Sequence, residues 1–164
     1  MDAGASLSQV DGDRGVITVQ RAPLKAFDVD ASNCPDLFPI ISVLAAFCQG
    51  KSRLAGVGRL ANKESDRARA IIEMLTQMGV EASIEGDEMH IEGHTLTQRL
   101  LNRSSNALPG LLHGGSYTSR HDHRMVMALK VAALGADSPI MIDDEECVGK
   151  SFPGFHETFE MLIR

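Results

Sequence analysis

The sequence predicts an α+β protein whose helices lie inside and whose sheets lie outside. Two segments, Asp36 to Cys48 and Asp122 to Leu134, carry apolar residues on nearly every side of a helix, which is typical of buried helices. Glu88 to Glu92 alternates apolar and polar residues instead, as strands with one solvent-facing side do. Buried helices together with one-sided strands favour a core of helices covered by sheets.

The second half of the chain repeats the first. Lys150 follows Lys63 by 87 positions, and Glu160-Met161-Leu162 follows Glu73-Met74-Leu75 by the same number. A repeat of this kind indicates duplicated supersecondary units, each predicted as strand, buried helix, strand, second helix and one or two further strands. A predicted helix that ends at Gly79 precedes the strand at Glu88 to Glu92, but no helix precedes the equivalent strand at Val16 to Val19. We therefore expect a fragment that begins in the middle of a unit.

Capping and turn residues set the limits of the elements in the first half. Asp11-Gly12-Asp13 predicts a turn before a strand at Val16 to Val19. Ser32 and Asn33 are good N-cap residues for the first buried helix, and Pro35 suits its first position. The other predicted elements are a strand from Ser52 to Ala55, an amphipathic helix from Lys63 to Gly79, and a loop from Thr95 to Gly110 with at most one helical turn.

The second half is predicted in the same way. Leu112 to Thr118 and Pro139 to Ile142 are expected to be strands on either side of the second buried helix. A last helix is predicted from Pro153 to Ile163. The acidic run Asp143-Asp144-Glu145-Glu146 lacks the spacing of a calcium loop and is predicted to be a solvated turn.

Length and composition restrict the class of protein. With 164 residues a single domain that buries a core is expected, and 22 acidic against 16 basic residues argue against a general nucleic-acid surface. The three cysteines form no CxxC pair, which fits a reducing cytoplasm better than a disulfide framework. We expect no membrane span, because no segment is long and apolar enough, and we expect no cofactor. We also expect no metal site, since the adjacent residues His121-Asp122-His123 cannot easily converge on one ion.

The run Asn62-Lys63-Glu64-Ser65-Asp66-Arg67 places two cations around a carboxylate at the start of a predicted helix. Lys63 and Arg67 are four positions apart on one face, where like charges repel, and they lie at the helix end that attracts anions. Such a pattern indicates a bound anion, which free backbone N–H groups would also hold. The alternative is a solvated charged cap, and composition alone does not separate the two.

The repeat puts further charged residues at equivalent places. Asp36 and Asp122 begin the two buried helices, and Lys63 and Lys150 precede the two second helices. With Glu64, Arg67, His123 and Arg124, these charges gather at predicted helix N-termini. We expect the ends to line one pocket if they face the same way.

The order and spacing of four motifs resemble the 5-enolpyruvylshikimate-3-phosphate synthase family. The motifs are Pro35-Asp36, Lys63-Glu64-Ser65-Asp66-Arg67, Asp122-His123-Arg124 and Lys150-Ser151-Phe152-Pro153. The resemblance covers essentially the whole chain and implies an enolpyruvyl transferase-type α/β prism, an inside-out barrel of repeated βαβαββ units. It also implies that residues 1–164 are part of the C-terminal domain of a two-domain protein, about two repeat units, with the N-terminal domain as a missing partner.

The resemblance implies an activity and a set of site residues. The family transfers the enolpyruvyl group of phosphoenolpyruvate to the 5-hydroxyl of shikimate 3-phosphate and releases phosphate. By motif position, Glu64 would shuttle a proton to the substrate, Asp36 would bind the shikimate hydroxyls and Lys63 would reach the transferred hydroxyl. The cations expected to hold phosphoenolpyruvate are Arg67, Arg124 and Lys150, and Arg59 occupies a substrate-facing position that varies in the family.

Plainer interpretations remain beside these roles. Asp36 is also explained as a carboxylate that complements a helix dipole, and His123 is more often a packing residue than a base. The transferase that acts on UDP-N-acetylglucosamine shares the fold but not the Lys-Glu-Ser-Asp-Arg run, and nothing resembles the nucleotide site of RNA 3′-phosphate cyclases. Because one wall of the cleft is absent, we expect the chain alone to be inactive; the alternative is a stand-alone anion-binding or assembly module.

Overall fold

The computed structural model describes residues 3–4, 6–10, 16–20, 22–61, 66–102 and 111–163. The strands are β1 Ser6–Val10, β2 Val16–Gln20, β3 Asp28–Asp30, β4 Gly50–Ala55, β5 Ala82–Glu85, β6 Glu88–Gly93, β7 Gly115–Tyr117 and β8 Ile140–Ile142. The α-helices are α1 Phe38–Ala46, α2 Arg67–Gln77, α3 Leu96–Asn102, α4 His123–Ala133 and α5 Phe155–Ile163. Short 3-10 helices cover Pro35–Leu37, Val57–Leu60 and Glu145–Lys150.

The described strands form three sheets. β1 and β2 make an antiparallel pair, the order β3-β4-β6-β5 makes a mixed sheet, and β7 pairs with β8 in parallel. In the mixed sheet, Ser52 and Leu54 of β4 and Met89 and Ile91 of β6 are buried, whereas Arg53 faces outward. The sheet therefore has one core face and one outer face, as the alternation in β6 predicts.

The internal repeat is confirmed by strand register. Asp28 of β3 lies opposite Arg53 of β4, and Gly115 of β7 lies opposite Ile140 of β8, each 87 positions later. The isolated bridges Lys25 to Gln49 and Leu112 to Ala136 keep the same spacing. Both halves thus use the same parallel pairing around one buried helix.

The two buried helices lie at the centre, as predicted. α1 buries seven of its nine residues and contacts α2, α4, β4 and β6. α4 packs against α1 and β8, with Met125, Val126, Ala128, Leu129 and Ala132 buried. The prediction of helices inside and sheets outside is therefore confirmed for the described residues.

The start of the first buried helix differs from the prediction. Asp36 lies in the 3-10 helix Pro35–Leu37, and α1 begins only at Phe38. Pro39 has no N–H to donate to Pro35, so the α-helical ladder is interrupted there. The N-cap of the 3-10 helix is Cys34, without a side-chain bond, so the predicted caps Ser32 and Asn33 are wrong, while Pro35 does take the first position.

The predicted loop after β6 was also wrong in part. Leu96–Asn102 forms α3, about two turns long. Thr95 Oγ1 accepts from the backbone N of Gln98 at 3.3 Å, and Thr95 N donates to Gln98 Oε1 at 2.9 Å. This reciprocal capping box is readable in the sequence as Thr-x-x-Gln.

The other limits agree within a few positions. α2 begins at Arg67 with Asp66 as its N-cap, and α5 begins at Phe155 rather than Pro153. The predicted turn at residues 11–13 and the first turn of charges at 62–65 lie outside the described residues. In the part of the chain that the structure describes, no helix is long and apolar enough to cross a bilayer.

An apolar groove of about 1070 Å³ runs between α1 and α4. Its walls include Ile40, Leu44 and Phe47 from the α1 side and Val131 and Leu134 from α4. These residues lie mostly toward the C-terminal halves of the two helices, whereas the charged residues lie at their N-termini. The groove and the charged site are therefore separate surfaces.

Candidate anion-binding site

Arg67 joins the N-termini of three helices through two carboxylates. Its Nε donates to Asp122 Oδ2 at 2.7 Å and its NH2 to Asp122 Oδ1 at 3.2 Å, while NH1 donates to Asp36 Oδ1 at 2.8 Å. Arg67 begins α2, Asp122 is the N-cap of α4, and Asp36 lies in the 3-10 helix before α1. The prediction that these helix ends meet on one side is supported by this geometry.

The buried half of this cluster is a closed ion pair. The side chain of Arg67 is 1% exposed and that of Asp122 is 0% exposed. The planar guanidinium fork matches the carboxylate at two points, so each buried charge has the opposite charge beside it. Asp122 also accepts from the backbone N of Arg124 at 2.9 Å, so one carboxylate caps α4 and holds α2.

Asp36 forms the exposed half of the cluster. Its side chain is 48% exposed, and Oδ2 lies 3.6 Å from NH2 of Arg124. Arg67 and Arg124 thus approach the same carboxylate. Arg67 itself is not open to solvent, because its guanidinium is buried against two carboxylates.

Arg124 is the cation that is best placed to receive an anion. Its side chain is one-third exposed, at 33%, yet its Nε is buried and has no hydrogen-bond partner among the described residues. A buried donor without a partner loses its interaction with water and gains nothing in return. An anion beside Arg124 would satisfy this donor, and the N-terminus of α4 would add its partial positive charge.

Lys150 and Arg59 lie at the edges of this region. Lys150 ends the 3-10 helix Glu145–Lys150 and is exposed. Burial raises the pKa of the neighbouring Cys147 thiol, as do the charges of Asp144 and Asp122, whereas Lys150 and a hydrogen bond with Ser119 lower it. Lys150 and Asp122 therefore both act on one thiol. Arg59 is exposed in the 3-10 helix Val57–Leu60, which contacts the 3-10 helix that holds Asp36.

The remaining predicted site residues, Lys63 and Glu64, lie outside the described residues. They precede Asp66, the N-cap that accepts from the backbone N of Arg69 at 3.2 Å. Their sequence position puts them within four positions of Arg67. The described geometry therefore covers Asp36, Arg59, Arg67, Arg124 and Lys150, and the binding roles of these residues stay predictions together with the proton shuttle.

Sequence reasoning missed several residues that hold the site together. Asp122 was noted as the start of a helix but not as the partner of Arg67. Glu73 of α2 pairs with Arg120 and accepts from Arg69 at 2.7 Å, and hydrogen bonds from these two arginines lower the pKa of Glu73 although desolvation opposes them. Asp143 lies in an exposed turn, as predicted, but its carboxylate also accepts two hydrogen bonds from Ser119, which the sequence did not indicate.

Among the described residues, no group of histidine, cysteine and acidic side chains is arranged to hold a metal ion. The cluster instead combines paired cations, carboxylates and helix N-termini. This donor set suits organic anions and phosphate.

Comparison with known proteins identifies the family. The sequence model described as EPSP synthase (3-phosphoshikimate 1-carboxyvinyltransferase) matches residues 1–159. The chain belongs to the EPSP synthase family. A 3-phosphoshikimate 1-carboxyvinyltransferase of Brachyspira hyodysenteriae is 39% identical over 159 residues, covering 97% of this chain and 34% of the relative. One from Methanocorpusculum labreanum is 40% identical over 146 residues, covering 89% of this chain and 31% of the relative.

Solved structures agree with the α/β prism predicted for this EPSP synthase family chain. An EPSP synthase from Acinetobacter baumannii superposes with a TM-score of 0.80 at 28% identity, covering 98% of this chain and 36% of that one. The enolpyruvyl transferase NikO from Streptomyces tendae gives a TM-score of 0.63 at 14% identity, covering 96% of this chain and 33% of that one, and this shows the fold alone. The chain spans about a third of the length of the relatives it matches.

Proposed function

We propose that this chain supplies the phosphoenolpyruvate-binding side of an EPSP synthase active site. The observation that carries the proposal is the cluster of Asp36, Arg67, Asp122 and Arg124, which gathers three helix N-termini around two cations. The buried Nε of Arg124 has no hydrogen-bond partner among the described residues, so the cluster offers an unused donor to an anion. Family membership makes the carboxylate and phosphate of phosphoenolpyruvate the anions to consider first.

In the proposed reaction the 5-hydroxyl of shikimate 3-phosphate adds to C2 of phosphoenolpyruvate while C3 gains a proton. The tetrahedral intermediate then loses phosphate as C3 gives up a proton, so the products are the enolpyruvyl ether and phosphate. Both steps need a group that gives and takes a proton and cations that offset the substrate charges. We assign the proton transfers to Glu64 and the approach to the transferred hydroxyl to Lys63.

The described residues take the binding roles. Arg124 and Lys150 would hold the carboxylate and phosphate of phosphoenolpyruvate, and Arg59 would lie at the shikimate side with Asp36. Arg67 contacts Asp36 at 2.8 Å, so direct binding of substrate by Arg67 would require Asp36 to exchange one partner for another. Asp36 is well suited to this exchange, because its half-exposed carboxylate can turn to the hydroxyls of shikimate 3-phosphate.

We further propose that the chain forms part of the C-terminal domain of a two-domain protein in the cytoplasm. The support is that it spans about a third of its relatives, whose remaining length would provide the second wall of the cleft. Charge contacts weaken when water has free access, because the effective dielectric rises. The chain alone is therefore expected to bind anions weakly and not to turn over.

Two measurements test this function. Inorganic phosphate and phosphoenolpyruvate are titrated into the 164-residue chain while NMR follows the backbone N–H of Arg124 and the arginine side chains, with Arg124→Met as the control. Phosphate release is then assayed in a chimera in which the chain replaces the matching part of the Acinetobacter baumannii enzyme, with circular dichroism to check folding.

We expect phosphate to shift the backbone N–H signal of residue 124 in the wild-type chain but not in Arg124→Met. The chimera should turn over, and replacement of Glu64 by Gln should abolish this turnover. Absence of binding at Arg124 in the wild-type chain would overturn the site assignment. Anion binding by the chain combined with a folded but inactive chimera would favour a binding module that has lost turnover.

A further inference from the structure

The segment Ser119–Asp122 has an unusual backbone for its composition. Arg120 and His121 have φ values of 54° and 59°, and they are the two non-glycine residues with positive φ among the described residues. Side chains with a Cβ rarely adopt this region, and two in succession persist only when their surroundings hold them. The segment leads directly into Asp122, the partner of Arg67, and then into Arg124.

Carboxylates from outside the segment hold each of its first three residues. Asp143 Oδ1 accepts from Ser119 N at 2.8 Å and from Ser119 Oγ at 2.9 Å. Glu73 of α2 pairs with Arg120, and Asp144 Oδ2 lies 2.6 Å from Nδ1 of His121. Ser119 is fully buried, and its carbonyl accepts from Asp122 N at 3.0 Å. Asp143 and Asp122 are therefore linked through a single residue, Ser119.

The internal repeat shows that this use of Asp143 is particular to the second unit. Ser32 is the equivalent of Ser119 at the 87-residue spacing, and its N and Oγ both donate to Asp30 Oδ1, at 2.9 and 2.5 Å. The position equivalent to Asp143 is Gly56, where a Cβ would lie 2.7 Å from Ser32 N and Oγ. In the first unit the hydrogen-bond acceptor for the serine is therefore Asp30, two residues before it. In the second unit the acceptor is Asp143, which follows β8.

We propose that Asp143 is a positioning residue for the anion site. By tethering buried Ser119 to the end of β8, it holds the left-handed turn that sets Asp122 against Arg67 and aims Arg124. Loss of the tether lets the turn relax toward ordinary backbone angles, which moves the N-cap of α4 away from Arg67. The inference rests on the proposed function for the identity of the anion.

The expected consequence is a loss of binding rather than a loss of proton transfer. Displacement of a charged group by about 1 Å is enough to weaken catalysis up to about 100-fold when positioning is the main contribution. The carboxylate of Asp143 bonds to Ser119, which has no proposed role in proton transfer, so the effect should fall on KM for phosphoenolpyruvate more than on kcat. If the role of Asp143 were only structural, its loss would lower stability without raising KM selectively over its effect on kcat.

The experiment compares Asp143→Ala, Asp143→Asn and the control Asp137→Ala. Asp137 caps the other end of the β7–β8 pair by accepting from Gly114 N at 2.9 Å, at a distance from the charged cluster. In the 164-residue chain, NMR follows the Nε–H of Arg67, which its bond to Asp122 protects, and the dissociation constant for inorganic phosphate. In the chimera, KM and kcat are measured separately.

We expect Asp143→Ala to expose the Arg67 Nε–H to exchange and to weaken phosphate binding about tenfold, the loss of roughly one charged hydrogen bond. Asp143→Asn should recover most of the affinity, because the bonds from Ser119 both reach one oxygen that asparagine keeps. Asp137→Ala should lower stability and leave both readouts unchanged. If Asp143→Ala does not fold, Ser119→Ala, which removes one of the two donors, is compared in its place.

Equal changes in Asp143→Ala and Asp137→Ala would overturn the proposal, as would an Arg67 Nε–H that stays protected in both. The two hypotheses fail separately. A wild-type chain that binds no phosphate rejects the proposed function, while the Arg67 signal still decides whether Asp143 sets the position of Asp122.

Discussion

Arg67 and Asp122 form a two-point ion pair that is almost completely buried and joins the N-terminus of α2 to that of α4. A second arginine–aspartate pair, Arg53 with Asp28, has nearly the same geometry, at 3.1 and 2.6 Å, but both side chains are more than half exposed. The two pairs differ mainly in burial. They therefore separate the effect of desolvation from that of contact geometry.

The first prediction uses this contrast. Asp122→Asn should lower the free energy of unfolding by about 3–5 kcal/mol, because it leaves the Arg67 charge buried without full compensation. Asp28→Asn should lower it far less, since water screens the exposed pair. Urea unfolding followed by circular dichroism measures both. Similar losses in the two variants would mean that Arg67 is not buried in solution.

The second prediction concerns Gly93, at the end of β6 beside the C-terminus of α1. A Cβ there would lie 2.0 Å from Ala45 O and 2.3 Å from Cys48 O, and both of these atoms are backbone. Gly93→Ala should therefore destabilise the chain by about 3 kcal/mol or more, since helix and strand must separate. Gly149→Ala is the matched control, because no described heavy atom lies within 4 Å of its added Cβ. Thermal unfolding of both variants tests the close approach of α1 and β6.

The third prediction concerns thiol reactivity. Burial raises the pKa of Cys48 to about 11 and also raises that of Cys147, whereas Cys34 is half-buried. Because the thiolate is the reactive form, iodoacetamide at pH 8 should modify Cys34 first and leave Cys48 intact while the chain is folded. Mass spectrometry of timed samples measures the order. In concentrated guanidinium chloride the three rates should become similar, and early modification of Cys48 in the native chain would contradict the described core.

The fold was largely predictable because its signals are local and repeated. The all-round apolar segments gave the buried helices α1 and α4, and the spacing of Lys63 and Lys150 gave the repeat that the strand registers confirm. The details that failed depend on single residues. Pro39 shortened α1 at its start, and the Thr95–Gln98 capping box made a helix where a loop was expected.

The candidate site was predictable in membership but not in its internal contacts. Asp36, Arg67 and Arg124 were selected by motif, and the structure brings them together. The pairing of Arg67 with Asp122 spans 55 positions, and sequence alone does not say with which carboxylate a guanidinium pairs. Asp143 carried a readable signal, because its equivalent in the first unit is a glycine beside Ser32, and a carboxylate in that place predicts a new contact to Ser119.

The last prediction is the pH dependence that follows from Asp143. Desolvation raises the pKa of its carboxyl, but hydrogen bonds from Thr118 and Ser119 outweigh it and lower the pKa from 3.8 to about 2. Because the folded-state pKa is below the unfolded value, the unfolded chain takes up the proton first as the pH falls. The stability that this carboxylate contributes is thus fully present above about pH 5 and is lost as the pH falls through 4 toward 2. Residue 143 does not titrate in Asp143→Asn, so the difference in unfolding free energy between this variant and the wild type should narrow over this range in urea titrations.

Carboxyl NMR should show the pKa of Asp143 rising toward 3.8 in Ser119→Ala, because a donor to the charged form has been removed. A gap that stays constant from pH 6 to pH 3 would show that the contact with Ser119 does not favour the ionised carboxylate.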